Sequence, residues 1–323
     1  MKKRNQWLVS LLAGFALTGS ALPVAHAEAN PQEVVTKMVE AAKGVNTVHI
    51  AADMSAAFAS NGLESNIFGG TYDIRADFDA VEFAFTLKGA SPFSSANISM
   101  ESYLKEDQLT VIASGIAGGE TLDSEVVQQS VDGLSEVVKS EIPKLKAKPI
   151  TIDVENLLKY AELTETDTEY VWSLRADADP AAILADMKAY IHFVKDIVKE
   201  YMETLKAQGE EVEEIDWAAF EAQLDQELTV DFVNIFLQSN PKIELHYDKE
   251  TYLLKHFVEE MTFDTAELVK ATSEEEVPEE LLQTLPETVI VKMAFNYDNY
   301  NQPQNIEVPE VTVTPAEESS SAE

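Results

Sequence analysis

Apolar residues along this chain recur with a period of two, then with a period near three and a half, then with a period of two again. From Val48 to Phe58 the residues Val48, Ile50, Ala52, Met54, Ala56 and Phe58 share one parity, and His49, Asp53 and Ser55 the other. That alternation predicts a long half-buried strand. "NG" at 61–62 signals a turn. In 66–78, Tyr72, Ile74, Ala76 and Phe78 share a face, and Gly69-Gly70 predicts a bend or bulge. Val81, Phe83, Phe85 and Leu87 alternate next, then Ala96, Ile98 and Met100, and "QLTVIA" follows the turn at 105–107. Five neighbouring strands with short links predict an antiparallel meander covered on one face.

Helical spacing frames and interrupts these strands. Asn30, Pro31 and Glu33 mark a start and Gly44 a stop, with Val34, Val35, Met38, Val39 and Ala42 on the inner stripe. Val127, Val131, Leu134 and Val138 are spaced four, three and four, which predicts a helix over 124–139, ended by Pro143. A short helix is expected at 153–161 and a brief strand at 169–175. Asp179 and Pro180 then open a long helix running to Gly209, with Ile183, Met187, Ile191, Val194 and Ile197 facing inward. Residues 228–237 fit helix and strand equally. A hairpin is expected over 242–263, turning at Lys249-Glu250, followed by an acidic connector containing Pro278 and Pro286. The last strand enters "YDNYNQPQ", where Asp298, Asn299 and Asn301 read as turn residues, and "NIEVPEV" reads as the return strand.

The first 27 residues carry Lys2, Lys3 and Arg4, an apolar stretch over 7–19, and the pattern Ala25-His26-Ala27. This predicts a signal peptide cleaved near Ala27 and an extracytoplasmic protein, periplasmic or secreted. The apolar stretch is shorter than the roughly 20 residues a membrane span requires. Residues 310–323 are expected to form a disordered acidic tail. With 58 acidic and 23 basic residues the net charge is −35, and the leader's charges are all basic, so the remainder is more acidic still. Such a surface repels nucleic-acid backbones and anionic lipid headgroups. The chain has no cysteine. Disulfides, thiol chemistry, cysteine-bound zinc and a lipidated cysteine anchor are therefore all excluded.

No local motif predicts catalysis. There is no G-x-S-x-G, P-loop, H-E-x-x-H or dinucleotide-binding fingerprint. The Gly-rich "SGIAGGE" at 114–120 lacks the lysine-serine of a phosphate cradle. Aspartates at 73–79 and at Asp177 and Asp179 do not continue into a calcium loop. With a tight turn at Lys249-Glu250, His246 and His256 point to opposite faces, and a shared metal is not expected. No catalytic residue, metal site or cofactor is assigned, and the expectation is a non-enzymatic protein.

What remains is apolar. One sheet face is predicted to carry Val48, Ile50, Met54, Phe83, Phe85, Leu87, Ile98 and Met100, and amphipathic helices are available to cover it. Such a face is either a plain core or the wall of a binding site, and periodicity does not separate the two. The helix and long first strand of "VVTKMVEAAKGVNTVHIAADMSAAF", the antiparallel strands, the middle helices and the terminal "YDNYNQPQNIEVPE" together resemble bacterial LolA-like and LppX-like carrier proteins, in particular an exported branch of that superfamily. The resemblance implies an α+β fold in which a strongly curved antiparallel sheet, an open half-barrel, wraps helices on its concave face. It implies a single domain over 28–309, with 177–240 as a helical insert or lid. It also implies that the apolar face holds a lipid, an acyl chain or another apolar small molecule. The alternative is a cell-envelope protein–protein interaction module with a fully packed core.

Overall fold

The computed structural model describes residues 30–92, 96–117, 120–131, 133–150, 152–207, 215–272 and 277–310. The segment expected to be a signal peptide lies outside the described residues, as does the expected disordered tail beyond Glu310. The fold is α+β, with one open antiparallel sheet of eleven strands hydrogen-bonded in the order β6-β5-β4-β3-β2-β1-β11-β10-β9-β8-β7. Contacts divide the chain into two compact units, one of Val45–Ala57, Glu64–Ile142 and Phe295–Glu323, the other of the remaining residues.

The first of these units holds the meander. Strands β1 (Thr47–Ser60), β2 (Leu63–Asp77), β3 (Glu82–Ser91), β4 (Ala96–Lys105) and β5 (Gln108–Ala117) form where alternation predicts them. Asn61 and Gly62 both take positive φ, 52° and 76°, the backbone of a two-residue hairpin turn. Burial in β1 follows even positions through Val48, Ile50 and Ala52 but then falls on Ala57, so the single parity expected across the strand slips by one.

The helix expected at 124–139 forms only from Leu134 on. Residues Glu120–Ser130 are a sixth strand, β6, and the helix α2 (Leu134–Ala147) starts later and runs through Pro143. The four-three-four valine spacing straddles two elements. Val126 and Val127 pair with Ile112 and Val111 of β5, and β-branched side chains suit that pleated surface. Gly133, at φ 78°, turns the chain, and the Asp107 carboxylate accepts from Ser135 N–H at 2.7 Å to start the helix. "SGIA" is likewise not a link but the end of β5.

The second unit is built from helices on strands. The helix α1 (Pro31–Lys43) is capped by Asn30 and stops at Gly44 as expected. The helix at 153–161 shrinks to one turn, α3 (Val154–Leu157), because Ala161–Glu165 is a strand, β7, paired with β8 (Glu169–Leu174). Asp179 and Pro180 open α4 (Pro180–Ala207), and Asp179 Oδ1 accepts from Ala181 N–H at 2.9 Å. After α5 (Trp217–Glu227), the ambiguous stretch is helical as α6 (Val230–Gln238). Thr229 caps it at Phe232 N–H, and Val233, 1 % exposed, joins Ala182 and Ile183 of α4 in a buried cluster with Leu157 and Tyr160.

Strands β9 (Lys242–Asp248) and β10 (Leu254–Asp264) form the expected hairpin with a different turn and register. Asp248 Oδ1 accepts from Glu250 and Thr251 N–H, and Tyr252 takes φ 59°. The loop therefore spans 249–253, and a register shift follows between Leu254 and His256. The connector is not plain loop, since it contains α7 (Thr265–Thr272) and α8 (Glu279–Leu282). Strand β11 (Thr288–Asp298) is the last along the chain and stands between β1 and β10 in the strand order, and "NIEVPEV" makes no return strand over its described residues.

Candidate functional site

The register of β2–β5 sorts their side chains into two faces. One transverse row is Ala76, Phe83, Leu104 and Leu109; the next is Ile74, Phe85, Ser102 and Val111; the third is Tyr72, Leu87, Met100 and Ala113. A fourth row is Gly70, Gly89, Ile98 and Gly115. Successive side chains alternate across a sheet, so these even-register rows share one face. The intervening rows carry Asp73, Arg75, Thr86, Lys88, Glu101 and Tyr103 on the other. Helix α2 covers the near end of the apolar face, where its Leu134 and Val138, with Phe83 and Leu109, pack against buried Val81, Leu104 and Val131.

The far end is less covered. Ile98 is 49 % exposed and Met100 36 %, beside half-buried Tyr72, Phe85 and Leu87. The Tyr72 and Phe85 rings lie 5.9 Å apart. Of the eight expected face residues, Val48 and Ile50 are core, Met54 is half-buried, and Phe83 is under the helix. Phe85, Leu87, Ile98 and Met100 form the continuous stripe running out from it.

A trough of about 620 Å³ crosses the same strands. Its walls are the odd-register rows Thr71, Lys88, Ser99, Ser114 and Gly69, Ala90, Asn97, Ile116, with the glycine row between them. It therefore opens on the polar face, and of the expected residues only Ile98 lines it. Phe68 fills the space above the glycines on the apolar side: a Cβ on Gly70 or Gly89 would stand 2.9 Å or 3.0 Å from its ring. At Gly115 an added Cβ would meet the Asn97 carbonyl at 2.6 Å, whereas at Gly69 it would meet nothing within 4 Å. Gly115→Ala is expected to cost about 1–3 kcal/mol through forced backbone movement, and Gly69→Ala to be neutral or slightly stabilising. Urea unfolding of the two variants checks this; equal effects would mean that β4 and β5 separate freely.

The polar face also carries a charge network for which the local sequence holds no signal. His49 Nε2 lies 2.8 Å from Asp73 Oδ2, and His49 Nδ1 lies 2.7 Å from Asp298 Oδ1. Arg75 Nε reaches the other Asp73 oxygen at 3.1 Å. Burial, the largest single effect, pulls the His49 pKa down, but the Asp73 and Asp298 hydrogen bonds and charges together carry it above the ordinary value. Asp298 does not act as a turn residue alone; it anchors this network.

The two hairpin histidines face each other, contrary to the two-residue-turn expectation. The register shift sets His256 directly opposite His246, with ring centroids 6.0 Å apart. His246 Nδ1 pairs with Glu169 Oε2 at 3.0 Å, and Lys255 Nζ holds the other Glu169 oxygen at 2.8 Å. Lys255, and then His246, hold the Glu169 carboxyl below the usual carboxylate range. Glu169 and Glu244 engage the two ring nitrogens of His246, and among the described residues no cluster of three or more His, Asp or Glu is arranged to hold a metal. Among the same residues no helix is long and apolar enough to cross a membrane. No protein-family model matches the chain, and no curated protein matches it in sequence.

Proposed function

We propose that this chain is a non-enzymatic exported binding protein that holds a lipid or acyl chain on the apolar face of β2–β5, in the manner of LolA-like and LppX-like carriers. One observation carries the reading. The stripe Phe85–Leu87–Met100–Ile98 continues from Phe83, in the cluster that α2 covers, toward open surface, leaving two large aliphatic side chains in water. Burying such a stripe against an acyl chain gains roughly 25 cal/mol per Å² of apolar surface. Specificity for shape rather than charge follows, since the face offers few polar partners. The lack of cysteine leaves the protein without a lipidated cysteine anchor.

The test is native mass spectrometry of the mature protein, followed by titration of the delipidated protein with a fluorescent long-chain fatty acid. Saturable binding is expected, and Met100→Asp with Ile98→Asp is expected to weaken it at least about tenfold, because a charge would have to be desolvated under the chain. Both positions are exposed, so melting should be nearly unchanged. Lipid-free protein that does not bind the probe would overturn the proposal.

A second reading, an envelope protein–protein interaction module, is favoured by α5 and α6. There Phe220, Val230, Phe232 and Ile235 are 39 %, 38 %, 50 % and 37 % exposed. Under that reading Phe232→Asp abolishes capture of an envelope partner, and the fatty-acid probe does not bind.

A further inference from the structure

The last described residues fold back onto the start of β1. Asn301 N–H donates to the Thr47 carbonyl at 3.0 Å, and Asn46 N–H donates to Asn301 Oδ1 at 2.7 Å. Thr47 Oγ1 donates to the Gln302 carbonyl at 2.6 Å. Asn299, Asn301 and Asn305 all take positive φ, which asparagine tolerates better than most residues. Ile306 is 2 % exposed, and Lys105 Nζ donates to its carbonyl at 2.8 Å. His49 sits two residues along from Thr47, clamped between Asp73 of β2 and Asp298 at the end of β11.

We propose that His49 is a proton-operated latch, fastening the terminal segment 299–310 to β1 while its ring is protonated and loosening it when the proton leaves. A protonated imidazole has two N–H donors, one for each aspartate, whereas the neutral ring has only one. Deprotonation therefore turns one carboxylate toward a nitrogen lone pair at under 3 Å. The charged surroundings decide which contact gives way. From β2, Asp73 faces the ring and Arg75 reaches that carboxylate; from β11, Asp298 faces it. Beyond β2, Thr86 stands opposite Asp73 and Glu101 opposite Thr86, with the Glu101 carboxylate accepting from the Tyr103 hydroxyl. Of the terminal segment, Asn299 and Asn301, which meet Thr47 and Asn46, carry no charge. Asp73 keeps Arg75 when the ring is neutral. Asp298 has no second cation among the described residues, so the terminal side opens first.

Because the folded ring's pKa stands above its unfolded value, this stabilisation is complete below about pH 6.5 and is lost as pH rises through the folded pKa. Amide hydrogen exchange of the full chain, corrected for the intrinsic pH dependence of exchange, tests the latch beside an NMR titration of the His49 ring. Protection at Asn46 and Asn301 should fall several-fold across the ring's own titration, while amides in α4 hold. His49→Gln should flatten that dependence. If His49→Gln does not fold, Asp298→Asn serves instead, since it leaves the ring titrating against Asp73 but uncouples the terminal amides. Protection that stays constant through the titration, or that varies equally in the variant, would overturn the latch.

Discussion

Trp172→Ala is expected to destabilise the protein by about 3–5 kcal/mol, measured as a lowered urea midpoint at unchanged slope. Trp172 lies in the middle of β8 with no exposed surface. Its neighbours across the sheet are Leu163 on β7, also fully buried, and Leu245 on β9, 6 % exposed. With backbone pairing on both sides, the site has little freedom to collapse, and the cost rises with the cavity left behind. Trp172→Phe should cost far less than its lost volume suggests. The indole Nε1 is buried without an acceptor among the described residues, and a buried unpaired donor carries a penalty of about 1–3 kcal/mol that phenylalanine removes. A loss for Trp172→Phe as large as its removed volume alone implies would show that the indole N–H has a partner.

Strands β1 to β5 were legible in the sequence because one covered face imposes period two on each of them. Val48 to Ala52 and Phe83 to Leu87 report that face directly. The hairpin at Asn61-Gly62 and the start of α4 at Asp179-Pro180 were legible for a different reason: local backbone chemistry determines them. The failures share a cause in distant pairing. Val127 and Val131 fit a helical face as well as a strand followed by a turn, and only β5, waiting for a partner, decides between them. His246 and His256 change from opposed to facing through one register shift set by an aspartate-capped loop. His49 and Asp298 stand at opposite ends of the chain, and only the adjacency of β1 and β11 brings them together. The apolar stripe of the candidate site was readable residue by residue. Which part α2 covers was not, because the helix itself begins ten residues later than its spacing implies.

Asp186→Ala is expected to cost about 2–4 kcal/mol, more than any single surface ion pair in this chain. Asp186, on α4, accepts from the Tyr160 hydroxyl at 2.8 Å through one oxygen and from Asn156 Nδ2 at 2.8 Å through the other. Asn156 also donates to the Ala182 carbonyl, which ties the one-turn α3 to α4. Removing the carboxylate leaves the Tyr160 hydroxyl, on a residue 4 % exposed, without its acceptor. Tyr160→Phe should cost less, because half-buried Asp186 keeps Asn156 and gains water. A double-mutant cycle separates the two effects, and a coupling near zero would mean that the hydroxyl finds another acceptor. The alkaline limb gives an independent reading. Burial first, and Asp186 second, push the Tyr160 hydroxyl far above its ordinary pKa. Its stabilisation is thus complete below the unfolded value of about 10 and declines above it, since the unfolded chain releases that proton first. Tyrosinate absorbance should show Tyr160 ionising only as the protein unfolds. In Asp186→Ala one of the two causes is gone and the other remains, so the unfolding limb should become shallower without vanishing.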